Sequence, residues 1–195
     1  MNNSIRLRVI RVKTNNKTIK LTENKTMQTV YFQGNPVQVY GMIPEVGTQA
    51  PEFTLTAATL ADVRLEDYRG SRLVLNIFPS LDTGVCAMSV RRFNKEAAAY
   101  TNTKVLCISM DLPFAMHRFC AAEGIDGVEV ASAFRHREFG ENYGVTMEDG
   151  PLKNLLARAV VVVDENGKVM YRQLVEEITN EPDYDGVKYV LDHEK

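Results

Sequence analysis

Residues 73–86 read L-V-L-N-I-F-P-S-L-D-T-G-V-C. A nearly continuous apolar run such as 73–78 marks a strand covered on both faces. Pro79 suits its end, because proline cannot donate to a sheet ladder. A short polar loop follows, and a helix is expected from about Thr83 to Tyr100, with Val90, Phe93 and Ala97 spaced to face a core.

Two more apolar runs, K-V-L-C-I-S-M at 104–110 and A-V-V-V-V-D at 159–164, have the same character. A second helix is expected from Pro113 to Glu123, stopped by Gly124. F-T-L-T-A at 53–57 and the segment Asp62 to Leu65 read as short strands ahead of a turn at Gly70. Asn166-Gly167, set between 159–164 and K-V-M-Y-R-Q-L, is the strongest short hairpin signal in the chain. Near the other end, T-V-Y-F-Q and V-Q-V-Y flank Gly34-Asn35-Pro36, which suggests an N-terminal hairpin. A last helix is expected from Tyr184 to His193. This order implies an α/β protein with a central mixed sheet flanked by helices, and a thioredoxin-like arrangement is the simplest candidate.

The 195 residues, 45% hydrophobic and 25% charged, suffice for one substantial core. A net charge of −2 argues against general nucleic-acid binding, which needs a basic face to neutralise phosphates. No stretch of about 18 apolar residues is present to span a membrane, and the first residues lack the apolar centre of a secretory signal, so a cytoplasmic protein is expected. The charge is unevenly spread. Residues 1–26 hold seven of the 23 basic side chains and one of the 25 acidic ones, leaving 16 basic and 24 acidic for residues 27–195. Residues 1–26 therefore read as a basic extension, either mobile or a loosely added strand, ahead of a domain from 27 to 195.

Cys86 poses a choice between a buried apolar residue after a turn and a reactive thiol. If Asp82 or Thr83 caps the helix, Cys86 falls in its first turn, where unpaired N–H groups and the helix dipole favour an anion. Such a site can lower a cysteine pKa from about 8.5 into the range of roughly 3.5 to 7.5, above all beside a cation. Thr83, three residues earlier, can share the helical face and offer its hydroxyl to the sulfur or to a substrate oxygen.

On these residues the chain resembles a known family. P-S-L-D-T-G-V-C matches the P-x-x-x-T-x-x-C motif of peroxiredoxins, and N-I-F-P-S-L-D-T-G-V-C-A-M-S-V-R-R-F-N is similar to the bacterial thiol peroxidases, an atypical two-cysteine branch. The similarity begins at M-Q-T-V-Y-F-Q-G-N-P-V. It continues through V-L-C-I-S-M-D-L-P-F-A-M-H-R-F-C, D-G-P-L-K-N-L-L-A-R-A-V-V-V-V-D-E-N and I-T-N-E-P-D-Y. The resemblance implies a thioredoxin-like fold, a homodimer, and reduction of hydrogen peroxide and alkyl hydroperoxides with thioredoxin as reductant. By position it makes Cys86 the peroxidatic cysteine, Cys120 the resolving one, and Pro79, Thr83 and Arg158 the pocket residues. It calls for no metal, flavin or nicotinamide cofactor. Arg158 makes independent sense just ahead of an apolar strand, where its guanidinium could lie at the sheet's edge beside the Cys86 helix.

In such a cycle Cys86 becomes a sulfenic acid that condenses with Cys120, 34 residues downstream. Thiols on two folded helices rarely meet the Cα separation of about 7 Å that a disulfide needs, so local unwinding is expected. Cys107, inside K-V-L-C-I-S, reads as an inert strand residue. His117, His136 and His193 lack metal-site spacing, and no histidine can be tied to Cys86 to suggest a cysteine hydrolase. A redox sensor using the same disulfide with little turnover stays open. A general thiol–disulfide oxidoreductase is weakened by the lone cysteine where C-x-x-C would stand.

Overall fold

A computed structural model describes the backbone of residues 4–14 and 17–193, and the side chains from residue 26 to 193. The strand that decides the fold, β6 (Arg72–Ile77), lies in the middle of a seven-stranded sheet. It pairs in parallel with β7 (Thr103–Ser109), which pairs in parallel with β8 (Glu129–Ser132). On its other side stands antiparallel β10 (Ala159–Val163), followed by β11 (Val169–Leu174) at the edge. Beyond β8, β4 (Thr54–Ala57) and β5 (Asp62–Arg64) complete the mixed sheet.

Alternation along β6 builds two cores, as the period of two requires. Leu73, Leu75 and Ile77 join one cluster, with Phe139 and Tyr143 from around the short helix α3 (Glu138–Asn142). Val74 and Phe78 join the other, with Val90 and Phe93 of α1 (Gly84–Ala97), Met116 of α2 (Pro113–Glu123), and Tyr184, Val187 and Leu191 of α4 (Tyr184–His193). Cys86 and Cys107 are buried in this second layer, and half-buried Cys120 packs against it. One face of the central sheet thus gathers all three cysteines.

A second sheet runs in the order β1 (Ser4–Thr14), β2 (Lys17–Phe32), β3 (Asn35–Tyr40) and β9 (Thr146–Met147). The turn between β2 and β3 uses Gln33 and Gly34, with φ of 53° and 78°. Two left-handed residues match the right-handed twist of a tight hairpin. The turn is thus one residue earlier than the expected Gly34-Asn35-Pro36, and Pro36 stands in β3 paired with Tyr31. The small sheet anchors the segment after β11: Tyr31 N–H donates to Glu176 O at 2.6 Å and Ile178 N–H donates to Tyr31 O at 2.8 Å. The backbone of 4–14 pairs with β2 in register from Ser4 opposite Met27, and β2 runs unbroken across Met27. The side chains of the expected basic extension, up to residue 25, lie outside the described residues. Among the described residues no helix is long and apolar enough to cross a membrane.

Candidate active site

β6 delivers the chain to the C-terminal end of the parallel strands, where Pro79 is buried and the loop 80–83 turns back into α1. Thr83 is the N-cap by backbone geometry, with extended φ and ψ of −112° and 143°, yet its side chain makes no cap hydrogen bond. Its exposed hydroxyl instead donates to Ser80 O at 3.1 Å. Ser80 O also receives the Thr83 N–H at 3.2 Å, so both groups of Thr83 close a local turn. α1 itself starts at Gly84 and ends at Ala97, three residues short of the expected end.

Cys86 is the third residue of α1 and is completely buried. Arg158, 2% exposed, places Nη2 at 3.3 Å from Cys86 Sγ, while its Nε donates to Ile178 O at 3.0 Å. The small sheet fixes Ile178, so the hairpin end of the molecule sets the aim of the guanidinium. Arg158 precedes β10, which is flanked by β11 and β6. The expectation of a sheet-edge arginine is corrected accordingly: the residue enters the core at the end of an interior strand. Among the described residues no carboxylate pairs with it, and its buried Nη1 has no hydrogen-bond partner. A buried cation without a carboxylate is costly. The Cys86 sulfur is the side-chain partner that this guanidinium reaches.

Cys107 shares the burial without the cation. Its nearest polar neighbour is Asn76, whose Nδ2 donates to Cys107 Sγ at 3.5 Å and to Ser89 Oγ at 3.3 Å. Burial pushes the Cys107 thiol up to about 12, opposed only in part by the Asn76 amide. Cys120 lies near the end of α2, where Gly124, at φ 63°, closes the helix with its N–H on Cys120 O. Burial raises this thiol too. All three thiols are free. On the surface, Arg91 of α1 bonds Glu123 of α2 at 2.8 Å, an exposed bridge that couples the two helices weakly.

One residue that sequence reasoning passed over belongs here. Asp111, between β7 and α2, takes the Ser80 hydroxyl at 2.8 Å on Oδ1, and on Oδ2 the Leu81 N–H and the Ser109 hydroxyl, both at 2.7 Å. Its signal in the sequence was the S-x-D step just ahead of a proline-initiated helix. Among the described residues no group of three or more histidine, cysteine or acidic side chains could hold a metal ion.

Residues 45–188 match the family model described as Redoxin. The chain belongs to the Redoxin family. Within that family it is 57% identical over 165 residues to the thiol peroxidase of Corynebacterium glutamicum, which spans 85% of this chain and 99% of that protein. A solved Redoxin-type structure, the peroxiredoxin-like protein from Aquifex aeolicus, superposes with a TM-score of 0.80 at 42% identity over 85% of this chain and 97% of its own. The thiol peroxidase from Chromobacterium violaceum gives a TM-score of 0.79 at 22% identity, covering 84% of this chain and 95% of its own, and shows the shared fold. The thioredoxin-like, peroxiredoxin fold expected from the sequence is the fold found, and the chain stands with the thiol peroxidases.

Proposed function

We propose that this thiol peroxidase reduces hydrogen peroxide and alkyl hydroperoxides through Cys86, resolves through Cys120 within the same chain, and is recycled by thioredoxin. The observation that carries the reading is the buried Arg158 guanidinium, which has no carboxylate partner and stands 3.3 Å from Cys86 Sγ. One nitrogen contacts the sulfur, and the unpartnered Nη1 is left to receive a substrate oxygen.

The Cys86 thiolate attacks the terminal peroxide oxygen, the O–O bond breaks, and the departing alkoxide takes a proton to leave as alcohol, or as water from hydrogen peroxide. The sulfur gains the oxygen as a sulfenic acid. The Cys120 thiol then attacks that sulfur, the S–O bond breaks, the hydroxyl leaves as water with the proton of the thiol, and a disulfide forms. A dithiol reductant, thioredoxin, takes over the disulfide by exchange and restores both thiols. Cys86 in the first turn of α1 and Cys120 near the end of α2 can join only if a helix unwinds locally. The weak exposed Arg91–Glu123 bridge and the absence of a Thr83 side-chain cap favour that opening. A homodimer and a cytoplasmic location go with this reading through the family resemblance; light scattering and cell fractionation check them.

The test is thioredoxin-coupled NADPH consumption with cumene hydroperoxide, beside peptide mapping after one equivalent of peroxide. Turnover by wild type, loss of turnover in Cys86→Ser and a Cys86–Cys120 peptide pair are expected. Equal rates in Cys86→Ser reject the chemistry, and a Cys86–Cys107 pair or only intermolecular links reject the assignment of Cys120.

A further inference from the structure

We infer that Asp111 is a positioning residue for the peroxide step, a carboxylate that holds the loop before Cys86 in its reactive shape. The inference rests on Cys86 being the nucleophile, as proposed above. Ser80 and Leu81 form the middle of the P-S-L-D-T turn, and no strand or helix bonds them in place. Their shape is fixed from outside. Asp111 Oδ1 receives the Ser80 hydroxyl at 2.8 Å, and Oδ2 receives the Leu81 N–H at 2.7 Å. Hydrogen bonds to an ionised acceptor are short and about twice as strong as neutral ones. A backbone N–H left without its acceptor in a half-buried loop leaves a costly orphan.

The constraint passes to the helix by three further bonds. Ser80 Oγ accepts the Asp82 N–H at 3.2 Å, and Ser80 O accepts both the N–H and the hydroxyl of Thr83. Thr83 caps α1 in the backbone sense, and Cys86 follows three residues on. The chain of contacts thus runs from Asp111 through Ser80 to the residue that sets the direction of the first helical turn. Asp111 is itself held. Ser109 donates its hydroxyl to Oδ2 at 2.7 Å and Ser132 donates its own to Asp111 O at 2.5 Å, which fastens the carboxylate to the ends of β7 and β8. Those parallel strands form the rigid floor of the site.

Asp111 also stands one residue before Leu112, the N-cap of α2. A single carboxylate therefore ties together the segments from which both cysteine-bearing helices spring. None of its hydrogen bonds goes to a sulfur, so it acts through geometry: a displacement of about 1 Å of a reacting group can cost roughly 100-fold in rate. Ordinary structural acids cap one helix or pair with one base. This one takes three donors, two of them from the loop that presents the nucleophile.

The experiment compares wild type, Asp111→Ala, Asp111→Asn and, as a core change on the opposite sheet face, Leu65→Ala. Two quantities are read on the full chain: the single-turnover rate constant for Cys86 oxidation by cumene hydroperoxide, and the pH midpoint of Cys86 alkylation by iodoacetamide, followed by peptide mass. Asp111→Ala is expected to slow oxidation by about 10- to 100-fold and to move the alkylation midpoint upward, because the helix start no longer meets the sulfur squarely. Asp111→Asn keeps an oxygen for the Leu81 N–H and is expected to recover most of the rate. Leu65→Ala is expected to lower Tm and leave both quantities within two-fold of wild type. Asp111→Ala changing Tm while sparing both quantities, or moving them no further than Leu65→Ala does, overturns the inference. Should Asp111→Ala not yield folded protein, Ser80→Ala, which removes the hydroxyl half of the tether and leaves the Leu81 N–H bond, is expected to move both quantities in the same directions by a smaller amount, and no change in either overturns the inference. Alkylation needs no peroxide chemistry, so a wild type that alkylates readily but ignores peroxide would sink the proposed function and leave the positioning role standing on its own readout.

Discussion

Cys86 and Cys107 are both completely buried in one apolar layer of the molecule, yet their polar surroundings differ. Cys107 sits mid-strand with an amide at 3.5 Å, and burial pushes its thiol up to about 12. Cys86 sits in the first turn of a helix with a guanidinium at 3.3 Å. Burial favours the neutral thiol at Cys107. What separates them is one buried cation that has no carboxylate to pair with, together with the free N–H groups of a helix start. The comparison teaches that two equally buried thiols can differ in every polar group that faces them.

Removing the cation should erase the difference, and this is the largest effect expected. Arg158→Met keeps much of the volume and the apolar stem but loses charge and fork. The rate constant for Cys86 oxidation should fall by roughly 100- to 1000-fold, the cost of losing a main electrostatic stabiliser. Stopped-flow oxidation at neutral pH reads it. Arg158→Lys should recover only a part, since an ammonium cannot reach Cys86 and Ile178 O with the same planar geometry. If Arg158→Met oxidised as fast as wild type, the contrast between the two cysteines would need another source.

The converse change should do little to catalysis. Cys107→Val replaces a small buried residue by one that suits a strand. Turnover should stay within about two-fold of wild type, while Tm moves by only a few degrees, in line with about 1 kcal/mol for a mild core change. In the native protein at pH 8, iodoacetamide should leave Cys107 unlabelled, because a thiol held at about 12 is almost wholly protonated there. Rapid native-state labelling of Cys107, at a rate matching Cys86, would break the comparison from the other side.

How much of this was legible beforehand differs between fold and site for physical reasons. α2 and α4 stand where expected, Pro113–Glu123 and Tyr184–His193, because Pro113 starts the first and left-handed Gly124 stops it, while the second repeats its apolar residues at helical spacing. β8 (E-V-A-S) and the two-residue β9 were not read, since four or two residues carry no period and their place depends on neighbours far along the chain. Pro79, Thr83 and Cys86 could be considered together because they lie within one short loop and the helix start that follows it. Arg158 was placed near Cys86 but on the wrong part of the sheet, since strand order is a tertiary fact: only β10 lying between β11 and β6 brings it inside. Asp111 was passed over for the same reason, its partners Ser80 and Leu81 lying some 30 residues away.

The smallest effect expected isolates the other half of the contrast, what uncharged donors, chiefly backbone N–H groups, do for an anion. Glu177 accepts the N–H groups of Gln33, Gly34 and Thr179 and the Thr179 hydroxyl, at 3.1, 3.0, 3.0 and 2.7 Å. These donors hold its carboxyl down to about 2, with the Gly34 N–H the largest contributor. A folded-state value below the ordinary carboxylate range of about 4.3 means that the contribution is fully present above that range and fades as pH falls toward about 2. The group is open to water, so the consequence is local: it steadies the hairpin turn beside Ile178, whose carbonyl aims Arg158. Hydrogen exchange at the Gln33 and Gly34 amides should therefore lose protection between about pH 4.5 and 2 in wild type, while Glu177→Gln starts a few-fold less protected and shows a flat profile over that window. Two superimposable profiles would mean that backbone donors alone do not hold an anion in this protein, which would assign the whole of the Cys86 effect to the guanidinium.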